Sequence, residues 1–74
     1  MTLHIIKSGQ ASAIQQVERI FQDNDQVLLI EDGCYLYTLA KQKFDSVAAL
    51  SDHMAMRGLA IKADNLAVKL ISFK

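Results

Sequence analysis

Gln26-Val27-Leu28-Leu29-Ile30-Glu31-Asp32-Gly33 is the stretch that decides the fold class. Four consecutive apolar residues follow a polar lead-in and stop at two carboxylates and a glycine. An unbroken run, without polar and apolar alternation, is what a strand covered on both faces requires, and such strands belong to the parallel sheets of α/β proteins. Immediately upstream, Ile14, Val17, Ile20 and Phe21 recur at helical spacing, with Gln15, Gln16, Glu18, Arg19 and Gln22 on the other face. Ser12 with Gln15 three residues on forms a capping box that starts this helix, and Asp23-Asn24-Asp25 ends it.

The same reading extends to both ends of the chain. Leu3 to Ile6 is a first strand closed by Lys7-Ser8-Gly9. Cys34 to Lys43 predicts a short helix with Tyr35, Leu36 and Leu39 on one side. Val47 to Leu50 predicts a third strand, Ser51 to Gly58 a short helix, and Val68 to Phe73 a fourth strand. Arg57-Gly58 reads as a basic last turn followed by a glycine cap. Met54 and Met56, two apart, face different ways. The order β-α-β-α-β-α-β predicts a doubly wound, three-layer α/β/α fold around a mostly parallel sheet of about four strands.

Seventy-four residues of 8.2 kDa can bury only about 60% of their unfolded surface, enough for one core. No repeat or linker divides the chain, so residues 1–74 form a single domain. Eight basic residues balance eight acidic ones, which leaves no field to hold a polyanion and argues against direct nucleic-acid binding. Residues 1–37 carry a net −3 and residues 38–74 a net +3, a split that hints at complementary surfaces but more commonly reflects scattered solvated charge. No apolar run matches a signal peptide or the roughly 20 residues of a membrane span, so a cytoplasmic location is expected, with no membrane partner.

Chemistry in open parallel sheets gathers beyond the carboxyl ends of the strands. Those ends are Lys7-Ser8-Gly9, Glu31-Asp32-Gly33-Cys34, Ser51-Asp52-His53 and Lys74. Cys34 is the sharpest candidate there. With Asp32 as a helix cap, its thiol would lie in a first helical turn that favours the thiolate, while the carboxylates of Glu31 and Asp32 disfavour it. The plainer reading is a small apolar residue packed where strand meets helix. His4, among Leu3, Ile5 and Ile6, reads as a hydrogen-bonded core or interface histidine. A pairing of Cys34 with His53 would need two loops to meet. A lone cysteine excludes an internal disulfide and any zinc site built from several thiolates, and the isolated Gly9, Gly33 and Gly58 form no phosphate cradle. No cofactor and no metal is expected, and no residue is assigned a catalytic role, Cys34 being the one candidate.

Leu3-His4 with Ser8, Leu28-Leu29-Ile30-Glu31-Asp32-Gly33, and Ala49-Leu50-Ser51-Asp52 leading to Ala55-Met56-Arg57-Gly58-Leu59 occur in an order that resembles the TusB/DsrH family of sulfur-relay subunits. Met56 interrupts the Ala-Arg-Gly form of the last block. The resemblance spans nearly the whole chain. It implies a DsrE/DsrF/DsrH-like α/β/α fold and a place as the smallest subunit of a TusBCD-type heterohexamer, with TusC-like and TusD-like partners. Such a complex passes persulfide sulfur from a TusA-like donor towards a TusE-like acceptor during 2-thiolation of the tRNA wobble uridine. In that family the relay cysteine belongs to the TusD-like subunit, which implies a non-catalytic role here. A small core without staples, with strand edges left unpaired outside such a hexamer, predicts self-association when the chain is isolated. Some DsrH-like members carry a cysteine in the first helical region, where this chain has none, so no carrier role transfers to Cys34. Family members continue past the position of Phe73 into a final helix. Either that helix is naturally absent here or the sequence is cut before it, and the cut would leave an apolar face of the last strand bare. The alternatives are an independent thiol sulfur carrier or sulfurtransferase using Cys34, and a standalone oligomerisation module.

Overall fold

The computed structural model describes residues 1–72. Its elements are β1 (Leu3–Ile6), α1 (Ala11–Ile20), β2 (Gln26–Leu29), a 3₁₀ segment (Glu31–Leu36) running into α2 (Tyr37–Lys43), β3 (Val47–Leu50), α3 (Ser51–Met56), α4 (Ala60–Asn65) and β4 (Lys69–Ile71). The four strands form one parallel sheet in the order β1-β2-β3-β4. The α/β class and the four-stranded parallel sheet are those expected from the apolar runs.

Strand order corrects one part of the expectation. A doubly wound sheet reverses direction at a switch point, and this one steps the same way at every crossover. Right-handed connections that never reverse fall on a single face. Burial agrees. His4, Val27 and Val47 share one register row, and Ile6, Leu29 and Ala49 another. On this face Ile6, Val27, Leu29, Val47 and Ala49 are buried in one core with Ile14 of α1, Ala40 of α2, Met54 of α3 and Ala63 of α4. The opposite face carries Leu3 and Ile5, 50% and 55% exposed, with half-buried Leu28, Ala48 and Ile71 and exposed Lys69. The described residues thus supply two layers, one of helices and one of strands, and leave an apolar sheet face uncovered.

Local differences have local causes. α1 begins at Ala11, which places Ser12 inside the first turn, so no capping box forms. The N-cap residue Gln10 makes no side-chain cap; its backbone N–H donates to Ser8 Oγ at 3.1 Å. The helix ends at Ile20, before Asp23, and Ile20 is 64% exposed. Ile14, Val17 and Phe21 keep the i, i+3, i+7 rhythm, whereas Ile20 falls off that stripe. The expected helix from Cys34 is divided, because Glu31–Leu36 is 3₁₀ and the α-helical part starts only at Tyr37. Tyr35 points outward at 55% exposure instead of joining Leu36. No element is read from sequence between Gly58 and Val68, yet α4 lies there; six residues with one buried position, Ala63, are too few for a periodic signal. β4 starts at Lys69, after buried Val68. The expected end of that strand at Phe73, and Lys74, lie outside the described residues.

Gly58 does what its position predicts. At φ +68° it follows α3 in the left-handed region, with Leu59 N–H donating to Met54 O at 2.9 Å and Gly58 N–H to Ala55 O at 3.0 Å. These are the two bonds of a Schellman cap.

Candidate functional site at the carboxyl edge of the sheet

The loops after β1, β2 and β3 meet at one edge, and a glycine makes the meeting possible. Gly33 donates its N–H to Lys7 O at 3.0 Å, and a Cβ at this position would stand 2.0 Å from Ile6 O. Only a residue without a side chain lets the 3₁₀ segment lie this close to the end of β1. Beside it Glu31 adopts φ +50°, a left-handed conformation unusual for a residue with a side chain.

His53 of α3 reaches this residue. The Glu31 N–H donates to His53 Nδ1 at 2.8 Å. An accepting Nδ1 carries no proton, so the neutral ring keeps its hydrogen on Nε2. Arg57 completes the edge. One of its Nη groups donates to the His53 carbonyl at 3.1 Å, the other to Asp32 Oδ1 at 3.2 Å, and its guanidinium lies 5.9 Å from the centre of the Tyr35 ring. A single arginine thus ties the 3₁₀ segment to α3 by a carboxylate contact, a carbonyl contact and a cation–π contact.

Cys34 lies beneath this layer. It is fully buried, with Sγ 3.7 Å from Leu29 O. Burial pushes the thiol above its ordinary value, an effect that the positive charge of Arg57 offsets in part and the charge of Asp32 adds to slightly. The contest between helix dipole and carboxylates expected from sequence is therefore overtaken by desolvation. Sequence places Cys34 beside two acidic residues, but those side chains are exposed while the thiol faces the core.

Among the other expected groups, Ser8 caps the turn before α1 and Lys7 contributes its carbonyl. Ser51 opens α3, and Asp52 is exposed. The thiol and the imidazole bond to different backbone groups, Leu29 O and Glu31 N–H, and no hydrogen bond between them occurs among the described residues. His4 lies at the other end of the sheet, with Nε2 2.8 Å from Asp25 Oδ2. Sequence reasoning overlooked Arg57 and Asp25. Arg57 looked complete as a helix-ending cation, and Asp25 looked like loop; only the register that brings β1 beside β2 discloses the second pairing.

The edge is therefore a braced polar surface over a sealed thiol. It offers an imidazole N–H and hydrogen-bonding side chains but no contacting nucleophile and base. No cluster of three or more potential metal ligands occurs among the described residues. No described helix is long and apolar enough to cross a membrane. Comparison with family models, curated proteins and solved structures finds no match.

Proposed function

We infer that this chain is a non-catalytic subunit of a TusBCD-type sulfur-relay complex that serves 2-thiolation of the tRNA wobble uridine. The identity of the complex rests on the sequence blocks that resemble TusB/DsrH subunits. The observation that carries a subunit role is the bare sheet face. Leu3, Ile5, Leu28, Ala48 and Ile71 form an apolar surface, and over its start lies a groove of about 340 Å³ bordered by Lys41 and Lys69. Parallel sheets are ordinarily covered on both sides, so this surface is suited to burial against another chain. The sealed Cys34 supports the non-catalytic half of the reading, because a sulfur carrier needs an accessible thiolate.

Co-expression with TusC-like and TusD-like chains tests this. The expected result is a defined hetero-oligomer in which the amides of β1 and β4 gain protection from hydrogen exchange, and in which Cys34→Ala leaves tRNA thiolation intact. A monodisperse monomer indifferent to both chains contradicts the subunit role. Homo-oligomers that ignore them favour the standalone module. Persulfide on Cys34 during turnover, with thiolation lost in an intact Cys34→Ala complex, favours the sulfur carrier.

A further inference from the structure

We propose that His53 is a proton-operated latch: its neutral imidazole holds the Glu31–Leu36 segment closed over Cys34, and protonation releases that segment and opens the thiol to solvent. Three observations meet at one bond. The Glu31 N–H donates into His53 Nδ1 at 2.8 Å. Glu31 sits at φ +50°, a conformation strained for a residue with a Cβ that persists only where surroundings enforce it. Cys34, three residues on in the same 3₁₀ segment, has no exposure at all.

The chemistry of the ring makes the bond conditional. Imidazolium carries hydrogens on both nitrogens, so a protonated His53 would point Nδ1–H at the Glu31 N–H, donor against donor. The ring must then turn away, and Glu31 loses the contact that opposes its return to ordinary backbone angles. His53 is only half-buried, so protons reach it from solvent.

The charged and titratable groups around the latch are Asp52 and Arg57 from α3 and its last turn, and Glu31, Asp32 and Tyr35 from the 3₁₀ segment. β3 brings no titratable side chain, and α4 brings Lys62 and Asp64, both exposed. The Asp32–Arg57 contact and the Gly33 N–H to Lys7 O bond do not depend on the proton, so they act as a hinge that keeps the opened segment attached.

The test is the rate at which Cys34 reacts with 4,4′-dithiodipyridine, a disulfide that remains reactive in acid, divided at each pH by the rate of an unstructured cysteine peptide. That division removes the pH dependence of the thiolate itself. The expected wild-type ratio rises as pH falls, approaching about tenfold per pH unit, the limit for one coupled proton, while the far-ultraviolet circular dichroism stays native. His53→Asn keeps an acceptor oxygen near the position of Nδ1 but cannot titrate, so its ratio should stay low and flat. His53→Ala lacks the acceptor, and its ratio should be high and flat. A wild-type ratio independent of pH overturns the latch. So does an acid rise retained in His53→Asn, which would assign the opening to the His4–Asp25 pair or to general unfolding.

Discussion

His4 Nε2 stands 2.8 Å from Asp25 Oδ2 where β1 meets the loop before β2. The same carboxylate accepts the Gln22 N–H at 3.1 Å through Oδ2 and the Thr2 N–H at 2.8 Å through Oδ1. One side chain therefore fastens the end of α1, the start of β1 and the approach to β2. His4 also lies against Phe21, and Phe21 against Phe44, with ring centres 5.7 Å and 4.6 Å apart, so the polar clamp continues into an aromatic stack.

Acid should loosen this clamp. The hydrogen bond from His4, with those from Gln22 and Thr2, holds the Asp25 carboxyl below its ordinary value of 3.8 against the opposing effect of burial. A folded-state value lower than the unfolded one means that the unfolded chain takes up the proton first, so stability is full above 3.8 and drains away as pH falls through the lowered folded value. Urea midpoints from pH 6 to pH 2 should show the loss, and Asp25→Asn should be less stable at neutral pH while losing less in acid. An unchanged acid profile in Asp25→Asn would remove Asp25 from the account.

Gly33→Ala should be among the most damaging single changes. The new Cβ would lie 2.0 Å from Ile6 O and 2.7 Å from Ile6 C, both backbone atoms that cannot rotate aside. Moving them disturbs either β1 or the 3₁₀ segment, at a cost of about 3 kcal/mol or more. Thermal unfolding would show it, and a variant with wild-type stability would mean that the two segments separate easily.

Ala67 and Gly58 form a matched pair of helix ends. Both follow a short helix at positive φ, +59° and +68°. Val68 N–H donates to Ala63 O at 3.0 Å and Ala67 N–H to Asp64 O at 3.0 Å, which repeats after α4 the bonding found after α3. Ala67 pays the left-handed strain that Gly58 avoids. Ala67→Gly should therefore stabilise the protein by about 0.5–1 kcal/mol, after the greater unfolded-state freedom of glycine is subtracted. Gly58→Ala, with open space around its Cβ, should destabilise by about 1 kcal/mol through backbone strain alone. Chemical denaturation of the two variants checks opposite signs at equivalent sites.

Much of this architecture is legible in the residues because the driving signals are local. The runs Val27–Ile30 and Val47–Leu50 mark strands through unbroken apolarity, Leu3–Ile6 does so through two isoleucines despite His4, and Gly58 marks a helix end through its lack of a Cβ. Strand order is not local: nothing in those runs records whether β3 lies beyond β2 or beyond β1, so the single direction of winding and the uncovered face emerge only from the sheet. The edge site divides the same way. Glu31, Asp32, His53 and Cys34 are visible as chemistry, but their roles depend on facts with no sequence signature, namely which ring nitrogen faces an amide and which way a thiol points. Arg57 escapes notice because its use as a brace requires Asp32, twenty-five residues earlier, to come within 3.2 Å.

The two faces of β1 should respond differently to the same substitution. Leu3 and Ile5 are 50% and 55% exposed, whereas Ile6 is 3% exposed and inside the core. Threonine has the β-branched shape that strands favour, which Ile5 already has and Leu3 lacks, and it removes apolar surface. The double change Leu3→Thr/Ile5→Thr should thus cost about 1 kcal/mol or less, because half of each side chain is already in water. Ile6→Thr buries a hydroxyl among apolar groups and should cost about 2–3 kcal/mol. Association should follow the reverse order. If the bare face is what draws chains together, the double variant sediments as a monomer at concentrations where the wild type associates, and its binding of a hydrophobic dye falls. It should also weaken capture by TusC-like and TusD-like chains if the subunit role holds. Persistence of the wild-type sedimentation profile in Leu3→Thr/Ile5→Thr would place the contact elsewhere on the molecule, and the apolar side chains of β1 would then need another explanation for their exposure.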